Sequence, residues 1–132
     1  MSAQHWNEQE LYPGFFNEFE WSAYDIDGNP VAFEPADVAH FNLAASEGGL
    51  ALVQLDSDTV EADGSTVEIA TLGSPGVPAS GTVVLGAEAT EDLQARRHYG
   101  ELYLEDSGET PAGALKMIIR GTFKVRASIT GP

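Results

Sequence analysis

The sequence predicts an all-β domain, an antiparallel sandwich or barrel, and three features carry that expectation. Glycine and proline, 14 and 7 of the 132 residues, fall about every 8–15 positions. The stretches between them are short and rich in Val, Ile, Phe, Tyr and Thr, and several alternate apolar with polar residues at the strand period of two. The length fits one domain with one interior. Residues 1–14 read as a polar leader or docking arm and residues 15–132 as the sandwich.

Residues 15–24 (FFNEFEWSAY) form the first expected strand, with Phe15, Phe19 and Trp21 in phase on its core face. Residues 25–30 contain Asp-Gly and Asn-Pro and predict a turn. Residues 31–33 are a short strand candidate, and residues 38–44 alternate again, with Phe41 and Leu43 set apart from His40 and Asn42. Residues 50–55 and 66–72 follow the glycine turns at Gly48-Gly49 and Asp63-Gly64, and residues 82–85 follow a Gly/Pro/Ser loop at 73–81. One helical turn near 90–94 is expected, with Thr90 as its N-cap and acidic residues behind it.

Residues 98–105 and 114–125 predict a closing hairpin. Leu102 and Leu104 point inward on its first strand. On the second, Leu115, Met117, Ile119, Phe123 and Val125 share one face, and Lys116, Ile118, Arg120, Thr122, Lys124 and Arg126 share the other. In-register pairing sets Glu101 and Glu105 near that basic stripe, as a structural salt ladder. A strip that docks an acidic partner is the alternative.

The formal charge is −15, from 21 acidic and six basic residues, beyond the magnitude of roughly 2–8 usual for a small soluble domain. Residues 1–95 hold 17 acids and no base. Such a surface repels phosphate, so nucleic acid is not an expected partner. Neither a Sec-type leader nor an apolar run of about 18 residues occurs, so no membrane partner is expected either.

Chemistry finds little foothold. Asp25-x-Asp27-Gly28-Asn29 begins like a calcium loop, yet Pro30 and Ala36 stand where glycine and glutamate belong; a turn closed by Asx hydrogen bonds fits better, with a loose cation site as the alternative. Asp56-Ser57-Asp58 lacks the following glycine too. His5, His40 and His98 are too scattered for zinc, and there is no cysteine and no G-x-S-x-G turn. Carboxylate pairs carry no signal among 21 acids. The expectation is no cofactor, no metal and no catalysis. Trp6, Tyr12, Trp21, Tyr24, Tyr99 and Tyr103 admit a sugar-binding platform as a rival, although aromatics at strand period usually fill a core. Trp6 lies before the first strand and is either a plug or an anchor for a neighbouring subunit.

Residues 88–93 (EATEDL), 97–102 (RHYGEL), Leu115 and 121–125 (GTFKV), before Ile129-Thr130, together with 11–14 (LYPG) and 25–31, resemble small tailed-phage virion proteins similar to the N-terminal domain of baseplate upper proteins. That resemblance implies an immunoglobulin-like antiparallel β-sandwich of about 7–9 strands that anchors a larger receptor-binding protein to the tail. With the sequence ending at Pro132, just past the sandwich, the expectation shifts to an adaptor, cement or decoration subunit of capsid, neck or tail. It would be made in the host cytoplasm, reside in the virion in several symmetry-related copies, and dock other virion proteins. Trp6, Tyr12 and the cations Lys116, Arg120, Lys124 and Arg126 are the candidate docking residues. A carbohydrate- or receptor-binding module is the first rival and a hydrolase the second.

Overall fold

A computed structural model of the chain describes residues 4–5, 8–25, 27–107 and 114–126; at 4, 5, 114, 115, 117 and 118 it describes the backbone. Trp6 lies outside the described residues. The chain forms two packed β-sheets. The larger holds β1 (Gln4–His5), β2 (Gln9–Leu11), β4 (Val38–Ala44), β5 (Ala51–Asp56), β8 (Arg97–Asp106) and β9 (Ala114–Val125). Its order is β9-β8-β4-β5, with β1 and β2 both lying parallel to β9 along its free side. The smaller sheet is β3 (Asn17–Ser22), β7 (Ser80–Leu85) and β6 (Thr66–Thr71), in the order β3-β7-β6. Matched to B-E-D and G-F-C-C′, this is an immunoglobulin-like sandwich.

The inner faces follow the period of two. Phe19 and Trp21 project from β3, Phe41 and Leu43 from β4, Val83 and Leu85 from β7, and Leu102, Leu104, Ile119, Phe123 and Val125 from the closing hairpin, all buried. Phe19, Phe41 and Phe123 meet with ring centroids 4.9–5.8 Å apart and join the two sheets. Phe123, paired with His98, can lay its ring along β8 because Gly100, two residues further on that strand, has no side chain; a Cβ on Gly100 would collide with the Phe123 ring. Trp21 stands opposite Gly81, where a Cβ would meet the Glu68 backbone first and the Trp21 ring next, and it stacks on Phe33.

Five expectations need correction. Phe15 is 61% exposed, because a turn over residues 12–15 precedes β3, which starts only at Asn17. The polar leader is not separate from the sandwich: β1 and β2 complete the edge of the larger sheet, and Leu11 is 1% exposed inside the core. The helical turn, α1, is Ala87–Thr90, so Thr90 closes it instead of capping its start. Residues 31–33 form no strand, although Val31 and Phe33 donate backbone hydrogen bonds to Ala23 and Leu72. Finally, the hairpin register shifts between Leu102 and Tyr103. Ile119 pairs with Leu102 but Met117 with Tyr103, and this bulge reverses the alternation. Lys116 consequently stands opposite inward-facing Leu104, out of phase with Arg120 and Lys124, and Leu115 stands opposite Glu105.

Candidate docking surface

The N-terminal corner is assembled where β2 leaves the larger sheet and β3 enters the smaller one. Between them, Tyr12-Pro13-Gly14-Phe15 makes a tight reversal, with the Phe15 amide donating to the Tyr12 carbonyl at 3.2 Å and Gly14 at φ +80°. Proline at the second position and a positive-φ glycine at the third are what a type II turn requires. Two buried polar side chains hold the turn. The Asn17 amide accepts from the Tyr12 N–H (3.0 Å) and donates to the Tyr12 and Phe15 carbonyls (3.1 and 3.0 Å). The Thr90 hydroxyl, wholly buried, accepts from the Gly14 N–H at 3.1 Å and faces the Phe15 carbonyl at 3.4 Å. The result is a fixed backbone presenting three aromatic side chains to solvent: Tyr12 at 49%, Phe15 at 61% and Phe16 at 59% exposure.

Charge surrounds this corner. Arg97 Nε and Thr122 Oγ1 both donate to Glu8 Oε2, at 2.9 and 3.1 Å, and these hydrogen bonds, Thr122 first, hold the Glu8 carboxyl below its ordinary range. Glu10 receives the Tyr12 hydroxyl (2.9 Å) and Arg126 Nη1 (3.4 Å); the Tyr12 bond to that carboxylate pushes the phenol above its usual value. Lys124, exposed, is in register with Glu10 on one side and Arg97 on the other.

The expected basic strip is therefore divided. Arg126 and Lys124 belong to the N-terminal corner. Arg120 sits mid-sheet, opposite Glu101 as the register predicts and 3.9 Å from Glu47, and Lys116 donates to Asp106 at 3.0 Å toward the far end of β9. Glu105 meets His40 instead, Oε1 to Nε2 at 3.0 Å, and the His40 ring stacks on Tyr103 at 5.0 Å. Lys116, Arg120 and Arg126 thus lie against Asp106, Glu47 and Glu10, while of the two acids expected in the ladder Glu101 stands opposite Arg120 and Glu105 meets His40.

Sequence reasoning found Tyr12 but placed Phe15 in the core and gave Phe16, Asn17 and Thr90 no site role. The readable signal was the Pro-Gly pair: a turn there resets which aromatic faces inward. The Asx turns did form, with Asp25 Oδ1 accepting from the amides of Asp27 and Asn29 and Asp56 Oδ1 from Asp58, all at 2.9 Å. Among the described residues no cluster of three or more His, Asp or Glu is arranged to hold a metal, and no helix is long and apolar enough to cross a membrane. Comparison with protein-family models and with curated proteins finds no match to this chain.

Proposed function

We propose that the chain is a non-catalytic structural subunit of a tailed-phage virion, an adaptor, cement or decoration protein that docks other virion proteins through its N-terminal corner. The observation that carries the docking role is the exposed trio Tyr12, Phe15 and Phe16 on a turn clamped by buried Asn17 and Thr90. Aromatic anchors dominate protein interfaces, and a turn already fixed loses little conformational entropy when it docks. The salt-bridged side chains around it supply a polar rim. The virion assignment rests on the resemblance of the turn and strand motifs described above. A charge of −15 limits uncontrolled self-association and steers the subunit toward basic partners.

The rival sugar-binding platform has less support, since Trp21 is in the core and one face of Tyr103 is covered by His40. The test is particle incorporation of a Phe15→Ser/Phe16→Ser double variant. Both side chains are exposed, so the expected outcome is an unfolding midpoint close to that of the parent with incorporation lost. Normal incorporation of the folded variant would refute the corner's role.

A further inference from the structure

A sandwich has four sheet edges, and here they are treated unequally. The β9 edge is covered by β1 and β2. The β3 edge strand carries Glu18 and Glu20, and β6 carries Glu68 and a register irregularity between Ile69 and Thr71. Charges and bulges are the usual ways of blunting an edge. β5 also has a bulge, since Val53 stands opposite Leu43 and Ala51 opposite Ala44 with Leu52 as the extra residue between them, but it carries no charge before its last residue, Asp56. It shows Leu52 to solvent at 56%, with Leu50 at 91% just ahead, and among the described residues no strand pairs with its outer side.

That outer side forms one wall of a groove of about 470 Å³. Residues 52–55 all line it, although their side chains alternate between interior and solvent, so the wall is the edge of the strand itself. The opposite wall is α1 and the residues after it, with half-buried Leu93 at its base. The walls are tied together. Asp63 accepts from the Ser65 and Ala89 amides at 3.0 and 2.9 Å, and Ser65 Oγ accepts from the Gly86 amide at 2.8 Å. Burial pushes the Asp63 carboxyl up, but these hydrogen bonds, Ser65 foremost, outweigh it and leave it lowered. The rim is acidic, formed by Glu61, Glu88 and Asp92, and among the described residues no basic one lines the groove.

We propose that this groove receives an extended basic segment of a partner protein, which adds to the larger sheet as a strand beside β5. Main-chain hydrogen bonds to the open edge supply the fit, alternate apolar side chains rest on Leu52 and Leu93, and lysine or arginine side chains meet the rim. Charge complementarity selects this occupant: a second copy of the chain would bring its own acidic rim against this one, within a molecule of net charge −15. The inference does not depend on the virion assignment or on the aromatic corner.

The probe is a capped heptapeptide of alternating lysine and valine, titrated into the full chain while backbone amide exchange is followed. An alternating Glu/Val heptapeptide and a Lys/Val heptapeptide N-methylated at every backbone amide serve as controls. The Lys/Val peptide should bind saturably, slow exchange at the β5 amides that point away from β4, and weaken as salt rises. The Glu/Val peptide should not bind. The N-methylated peptide keeps the charge and the side chains but has no backbone N–H to donate to the ladder, and it should leave β5 exchange unchanged. Glu88→Lys/Asp92→Lys, at two exposed positions, should reduce Lys/Val affinity about tenfold. Absence of Lys/Val binding, equal β5 protection by the N-methylated peptide, binding without β5 protection, or self-association of the chain through β5 would each overturn the proposal.

Discussion

The two edges of the larger sheet solve the same problem in opposite ways. At β9, a polar segment of glutamine and glutamate lies parallel to the strand, buries Leu11 beneath it and fastens itself with Glu8–Arg97 and Glu10–Arg126 contacts. At β5, the main chain ends in solvent beside an acidic groove, with leucine on display. The first edge is closed by the molecule's own chain. The second is paired with no strand among the described residues, and the bulge at Leu52 and the surrounding negative charge discourage casual pairing. An edge can thus be protected by strand pairing, which is permanent, or by charge, which is selective.

The largest expected effect is on the core that both edges share. Phe123→Ala empties the centre of the three-ring cluster and should lower unfolding free energy by about 3–5 kcal/mol in a denaturant titration. Next, Leu11→Ala attacks the closed edge from beneath and should cost about 2–4 kcal/mol. If β2 detaches as a result, β9 amides will exchange faster in this variant while β5 amides keep their parent rates, making the two edges alike. Asn17→Ala removes the clamp between β2 and β3 and leaves the Tyr12 amide and two carbonyls without that partner. A loss of about 1–3 kcal/mol is expected, with the aromatic turn loosened.

A smaller effect concerns pH. Burial raises the Asp37 carboxyl, but the Ser107 hydroxyl and the Glu34 and Ser107 amides together outweigh it, so its folded pKa lies below 3.8. A depressed carboxylate stabilises the fold fully above its unfolded pKa, and that contribution disappears as pH falls through 3.8 toward the folded value. Asp37→Asn should therefore flatten the acid limb of the stability profile and leave its shape above pH ~5 unchanged. Smallest of all is Glu8→Gln. The pair it breaks is exposed, and the thermal midpoint should shift slightly at low salt and not detectably at high salt.

The strands most legible in the sequence were those whose pattern needed no help from elsewhere. Val38–Ala44 alternates without a turn residue, and its limits matched the reading. The limits of Ala114–Val125 matched as well, but its bulge did not show: Met117, Ile118 and Ile119 are all apolar, so period-two alternation cannot locate the extra residue. β1 and β2 were hidden for the opposite reason. An edge strand held by main-chain hydrogen bonds and ion pairs can be polar, and its sequence resembles a leader. Thr90 was misread because a remote group, Asp63, receives the Ala89 amide within α1, a contact that no local motif announces. At the candidate site, Tyr12 was found by its exposed context, whereas Phe15 and Phe16 needed the Pro13-Gly14 turn to be placed first.

The contrast between a sealed and an open edge is tested most directly by residue-resolved hydrogen exchange of the unliganded chain. Outward-pointing amides of β9 opposite Gln9–Leu11 should exchange slowly, at rates approaching those of the β4–β8 interior. Outward-pointing amides of β5 should exchange far faster than their inward neighbours on the same strand. Comparable protection along both edges would contradict the account.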